Sequence, residues 1–178
     1  DAFVAAFVAE ARELRVGPGA DPGRDIGPVI NAKVLKKGRA HVRDAEEKGA
    51  RLAAGGKFGP GLFFEPTVLV DTTPDMLVMQ EETFGPVAAI ARFTDEAAVV
   101  AAANDTEYGL MAYVYTRDLS RAHRLGDALE YGMVAVNTIR ITGGPVPFGG
   151  VKQSGLGREG SRYGLDEFTE LKYVCLAL

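Results

Sequence analysis

The chain has 178 residues, 47% hydrophobic and 25% charged, with a net charge of -4 and a pI near 5.3. This is the composition of a folded domain with a core rather than of a disordered segment. The acidic balance speaks against nucleic acid or an anionic membrane surface as partner, no apolar run reaches the roughly 18 residues of a membrane span, and the lone Cys175 rules out an internal disulfide or a thiolate zinc cluster.

The opening stretch "DAFVAAFVAEARELR" spaces Phe3, Phe7, Ala11 and Leu14 along one helical face, with Val4 and Val8 beside them. It is amphipathic and contains acids, unlike a signal peptide, so a soluble, cytoplasmic protein is expected. A chain that starts on a helix with no strand to feed it suggests a truncated parent. A Gly- and Pro-rich loop, "VGPGADPGRDIGPVI", follows. A second helix is then expected, capped by Asn31, with Val34, Gly38, Val42 and Ala45 on its inner face and Gly49 at its end. The two histidines, His41 and His123, lie far apart on helical stretches and are expected at the surface, so no metal set is visible.

From Phe63 the texture changes. "FFEPTVLVD" and "VAAIARF" are short apolar runs rich in β-branched residues, bounded by Pro, Asp and Gly, and read as strands. "TDEAAVVAAAND" then reads as a helix with Thr94 as its cap and acids in its first turn. "LMAYVYT", "RDLSRAHRLGDALEYG" and "MVAVN" continue as strand, helix and strand. Helical links between nearly all-apolar strands argue for right-handed crossovers and a parallel sheet covered on both faces, hence an α/β fold. Beyond Ile139 the rhythm stops, and the chain runs through a Gly-rich connection to "DEFTELKYVCLAL", an alternating strand-like tail. Such a terminal strand suits pairing with another subunit.

In open parallel sheets, ligands bind beyond the carboxyl ends of the strands, and two loops carry candidates. In "MQEETFGPV", Glu81 and Glu82 stand beside an aromatic and a Gly-Pro turn. A carboxylate can accept both hydroxyls of a ribose, and Phe84 offers a flat apolar wall to a nicotinamide ring. The alternative is a solvated acidic turn with a core Phe. In the loop after "MVAVN", Arg140 can grip a carboxylate with its planar fork of donors or sit in a surface salt bridge, and Thr142 can add a hydroxyl. Phe148 is either a pocket wall or core filling, and Glu159 either relays a proton or caps the next helix.

"SGLGREG" spells G-x-G-x-x-G through Gly155, Gly157 and Gly160. The dinucleotide fingerprint requires a buried strand before it and an acidic residue about 20 positions later. The preceding "GGPVPFGGVKQ" is too rich in Gly and Pro for a central strand, so the motif serves another purpose. No nucleophile elbow, zinc-protease pair or P-loop is present, and Cys175, three residues from the end, is poorly placed to be a nucleophile.

"EETFGPV", "ANDTEYGL", "YGMVAVN", "PFGGVKQSGLGREG" and "ELKYV" together resemble the C-terminal part of the aldehyde dehydrogenase superfamily, in its order and spacing and across the whole chain. "GREGSRYGLDEFTELKYVCL" is most similar to the succinate-semialdehyde dehydrogenase branch. The resemblance implies the C-terminal part of a parallel-sheet catalytic domain over residues 1–147, a crossover segment over 148–163 and an oligomerisation arm over 164–178, with the glycines of "SGLGREG" permitting close backbone packing. It implies that Glu82 holds the nicotinamide ribose of NAD or NADP, that Phe84 packs near the nicotinamide, and that Phe148 lines the aldehyde pocket. Glu159 would join a water chain. Thr142 falls where the branch usually carries a serine that helps bind the substrate carboxylate, and Arg140 departs from the apolar residue common there. The family mechanism joins a cysteine thiolate to the aldehyde, moves hydride from the thiohemiacetal to NAD(P), and hydrolyses the thioester with glutamate-activated water. The resemblance puts that cysteine and glutamate upstream of Asp1, so the chain alone is expected to be inactive and to belong to a homo-oligomeric enzyme, a homotetramer. Two alternatives stay open: a non-catalytic oligomerisation module, and an aldehyde dehydrogenase of another branch acting on glutarate semialdehyde or a neutral aldehyde.

Overall fold

The four residues Thr67–Val70 are all buried, and this strand organises the first half of the chain. In the computed structural model, which describes residues 1–177, the chain divides into two compact units, Asp1–Arg92 and Phe93–Leu178. The first unit runs α1 (Ala2–Glu13), α2 (Ala32–Glu47), β1 (Arg51–Ala54), β2 (Thr67–Val70), α3 (Leu77–Gln80) and β3 (Val87–Ile90). The central β2 pairs with β1 antiparallel and with β3 parallel. Its side chains alternate between two faces. Leu69 packs with Leu35, Val42 and Ala45 of α2 and with Phe64 and Met76. Val68 and Val70 pack instead with Val4, Val8 and Ala11 of α1. Burial on both faces is why "TVLV" is a β-branched and apolar run with no charged residue.

The packed stripe of α1 is therefore Val4, Val8 and Ala11, whereas Phe3 stays 67% exposed beside Phe7, with the rings 5.8 Å apart. Helix α2 begins as expected: Asn31 Oδ1 accepts the Val34 N–H at 3.0 Å. Its inner face includes His41, which is 1% exposed, correcting the expectation of a surface histidine. The ring falls between Gly38 and Ala45 on the stripe that faces the core.

The second unit runs α4 (Glu96–Asn104), β4 (Tyr108–Gly109), β5 (Met111–Val114), α5 (Leu119–Ala128), β6 (Met133–Val136) and β7 (Val151–Lys152), followed by a 3-10 helix at Arg162–Phe168. Strands β5 and β6 are parallel and joined through α5, the expected crossover unit. Helix α4 is capped one residue later than expected: Asp95, not Thr94, accepts the Ala98 N–H. Arg121 and Arg124 of α5 both reach Glu96, tying the two helices together. Strands β4 and β7 pair antiparallel. Among the described residues the ladders thus form three sheets with mixed pairing rather than one parallel sheet.

The tail departs further from expectation. Asp166–Phe168 belongs to the 3-10 helix, and residues 169–177 form no ladder among the described residues. Leu171, Tyr173, Val174 and Leu176 are exposed, and Leu178, the last residue of the expected arm, lies outside the described residues.

Candidate functional site

In the first unit, α3 ends at Gln80 and the chain turns extended at Glu81, with φ -117° and ψ 143°. Extended backbone sends alternate side chains to opposite sides. Glu81 and Thr83 turn towards α2: Glu81 Oε2 lies 3.0 Å from Lys37 Nζ and 3.5 Å from His41 Nε2, and Thr83 Oγ1 lies 2.9 Å from His41 Nδ1. Glu82 and Phe84 are exposed, and neither has a partner among the described residues.

The protonation of His41 follows from its neighbours. Burial pushes its pKa below the usual histidine value, outweighing the attraction of Glu81. The ring is then neutral near pH 7 and carries one proton. A carboxylate can only accept, so that proton sits on Nε2 facing Glu81, and Nδ1 accepts from the Thr83 hydroxyl. The Lys37 hydrogen bond holds the Glu81 carboxyl below its ordinary range, with a smaller contribution from His41.

Phe84 has φ +51° and is 76% exposed, so the alternative of a core phenylalanine is overturned. A bulky side chain at positive φ is an outlier of the kind that persists where surrounding structure enforces it. An exposed ring in such a backbone thus stands next to an unpartnered, exposed carboxylate, groups able to stack on a flat apolar surface and to accept hydroxyl hydrogen bonds.

In the second unit, the carboxyl ends of β5 and β6 are stapled by Asn137. Its Oδ1 accepts the Thr116 N–H at 2.9 Å and its Nδ2 donates to the Thr116 carbonyl at 2.7 Å. The chain then leads to Arg140 and Thr142, both exposed, and the Arg140 guanidinium forms no salt bridge among the described residues.

Further on, Phe148 and Glu159 exchange both backbone hydrogen bonds and fold "SGLGREG" back on "PFGG". Gly155, Gly157 and Gly160 all have positive φ, and only a two-residue antiparallel ladder precedes them. The run is a chain reversal, not a pyrophosphate cradle. A groove of about 560 Å³ lies here, lined in part by Phe148, Leu156, Glu159, Leu165 and Phe168. Arg158 is committed to the fold, donating from Nη1 to the Gly150 and Gly157 carbonyls, each at 2.7 Å. Glu159 does not cap the following helix; Ser161 does, accepting the Tyr163 N–H at 3.3 Å.

Sequence reasoning named Glu82, Phe84, Arg140, Thr142, Phe148 and Glu159 but missed Lys37 and His41. The signal was present: a Lys-x-x-x-His pair one turn apart, with the histidine on the apolar stripe.

A model of the aldehyde dehydrogenase family matches residues 1–174. The chain is 49% identical, over its full length, to a glutarate-semialdehyde dehydrogenase of Pseudomonas putida, and 52% identical to an Escherichia coli succinate-semialdehyde dehydrogenase whose name specifies NADP(+). It spans 37% of the length of each. Among solved structures, an aldehyde dehydrogenase from Brucella melitensis biovar abortus 2308 superposes with a TM-score of 0.96 at 55% identity, covering 99% of this chain and 37% of that one. With its whole length matched and its fold reproduced at this identity, the chain belongs to the aldehyde dehydrogenase family.

Proposed function

We propose that the chain is the C-terminal portion of an NAD(P)-dependent semialdehyde dehydrogenase, which oxidises an aldehyde bearing an anionic end to the carboxylate. The observation that carries this reading is the pairing of Glu82 with Phe84. One is a free carboxylate, the other an exposed ring at φ +51°, and both lie on a loop fixed from behind. These residues fit a nicotinamide nucleoside: Glu82 accepts the two ribose hydroxyls, and Phe84 walls the ring. When bound, the nicotinamide accepts hydride from the substrate carbon. The cysteine nucleophile and the general base belong to the rest of the subunit.

Arg140 and Thr142 form the anion end of the substrate site in this reading. Succinate and glutarate semialdehyde, the substrates in the relatives' names, both carry a carboxylate at the far end, which suits an unpartnered guanidinium. Phe148 walls the aldehyde pocket, and Glu159 takes part in a water chain. Residues 1–147 complete the catalytic domain, 148–163 form the crossover, and 164–178 form the arm through which subunits associate as a homo-oligomer. The solvent-facing apolar side chains of the tail support that last assignment.

The test uses the full-length subunit containing this chain. Glu82→Gln should weaken NAD(P) binding about tenfold, from the loss of charged hydrogen bonds, and unchanged affinity overturns the assignment. Arg140→Ala should depress turnover of succinate or glutarate semialdehyde while sparing a neutral aldehyde. An equal loss on all three removes Arg140 from the substrate site.

The same exposed tail favours a second reading, a non-catalytic module that joins active subunits. Failure of the 178-residue chain to associate with a full-length homologue in size-exclusion chromatography counts against it.

A further inference from the structure

We propose that His41 is a positioning residue for the cofactor-binding loop: one buried imidazole holds Glu81 and Thr83, and thereby sets the direction of Glu82 and Phe84 between and beyond them. The inference rests on the assignment of Glu82 and Phe84 to the cofactor.

The geometry has three parts. His41 is 1% exposed on a 16-residue helix, so its ring is fixed by α2 and by the core beneath it. Both ring nitrogens face the loop, Nδ1 at 2.9 Å from Thr83 Oγ1 and Nε2 at 3.5 Å from Glu81 Oε2. Glu82 lies between the two held residues and Phe84 directly follows Thr83, and both are exposed. Backbone hydrogen bonds fix the loop at its two ends, Glu81 N–H to the Leu77 carbonyl and Thr67 N–H to the Pro86 carbonyl, each at 2.8 Å, and Phe84 at positive φ needs an anchor between them. Thr83 is that anchor. Lys37, one helical turn before His41, clamps the Glu81 carboxylate at 3.0 Å and completes the three-point hold.

The role is one of geometry, since Glu81 and Thr83 separate His41 from the proposed ligand. Binding of a ligand to a preset loop avoids the entropy of ordering that loop. Loss of the imidazole should therefore appear as weaker cofactor binding with the bound enzyme still competent, a rise in KM for NAD(P) larger than any fall in kcat.

The experiment compares His41→Leu, His41→Gln and Thr83→Val with Glu82→Gln in the full-length enzyme, reading the NAD(P) dissociation constant by fluorescence titration and confirming folding by thermal unfolding. His41→Leu removes both links and should raise the dissociation constant about tenfold, and Thr83→Val about threefold. His41→Gln retains a donor and an acceptor and should restore binding to within about threefold of the parent. The His41→Leu/Glu82→Gln double variant should bind no more weakly than the weaker single, because both act through one contact. If Glu82→Gln weakens binding but Thr83→Val and a folded His41→Leu do not, or if the double variant is fully additive, the positioning role is overturned. If Glu82→Gln itself has no effect, the cofactor assignment beneath it fails instead. Should His41→Leu not fold, Thr83→Val and the His41→Gln rescue decide the matter.

Discussion

Phe148 and Glu159 form a two-way backbone bridge, each N–H donating to the other's carbonyl at 2.8 Å. Eleven residues apart in sequence, they bring the chain on either side so close that Gly149, next to the bridge, has no room for a side chain. A Cβ at Gly149 would lie 2.4 Å from the Gly157 carbonyl oxygen. Gly149→Ala must part the two strands, and it should destabilise the protein by more than about 2 kcal/mol. Urea unfolding measures this directly. Wild-type stability for Gly149→Ala would mean that the bridge gives way easily and that Phe148 is not held in place by it.

Two helical glycines should respond to alanine in opposite directions. Gly126 in α5 has open space where a Cβ would go, so Gly126→Ala should stabilise by about 0.5–1 kcal/mol through helix propensity. Gly38 in α2 has the same propensity to gain, but its Cβ would sit 2.7 Å from Cε1 of the fully buried Phe64. Overpacking a close-packed core costs about 1–3 kcal/mol, enough to reverse the sign. The melting temperatures of the two variants should move apart, and a rise in both would show that Phe64 has room to shift.

Phe84→Gly separates stability from binding. The ring is 76% exposed and φ is +51°, so the native residue contributes little burial and bears the left-handed penalty of about 1–2 kcal/mol. Glycine removes that penalty, and the protein should be as stable as wild type or more so. Binding of NAD(P) by the full-length enzyme should nonetheless weaken. A marked loss of stability instead would show that the ring is held for the fold and not for a ligand.

What the sequence disclosed depended on whether a residue's own chemistry or its neighbours decided the outcome. Strand β2 was legible because burial on both faces fills "TVLV" with β-branched and apolar residues and no charged one, and the Asn31 cap because its side chain meets its own helix. Strand β1 was not, since "RLAA" has no β-branched residue and owes its conformation to pairing with β2. The tail alternates like a strand but finds no ladder among the described residues, because a strand requires a partner that local pattern does not supply. Glu82 and Phe84 were readable as candidates by type and spacing. The positive φ of Phe84 has no local signature, and although the Lys-x-x-x-His spacing marks His41, its contact with Thr83 reaches across some forty residues of chain and was not readable.

The buried imidazole also fixes a pH dependence. His41 has a pKa lowered by burial, opposed by the hydrogen bond and charge of Glu81 and the charge of Asp44, and reinforced by Lys37. Unfolding releases the ring to its ordinary pKa of about 6.5, so as pH falls the unfolded chain takes up the proton first. The contribution of neutral His41 is thus complete above about pH 6.5 and declines as pH falls from there towards the folded pKa. The carboxylates act in a lower window. Asp44, held down chiefly by the Leu77 N–H, and Asp118, held down chiefly by the Arg121 N–H, stabilise the fold above their unfolded pKa of about 4 and lose that contribution as pH falls through their folded values. Urea midpoints for wild type and His41→Gln between about pH 5 and pH 7.5 should therefore diverge in slope, falling with acid in the wild type and flat in the variant until the carboxylates begin to titrate. Parallel curves would mean that protonated His41 is accommodated at no cost, with Glu81 compensating fully for the burial of its charge.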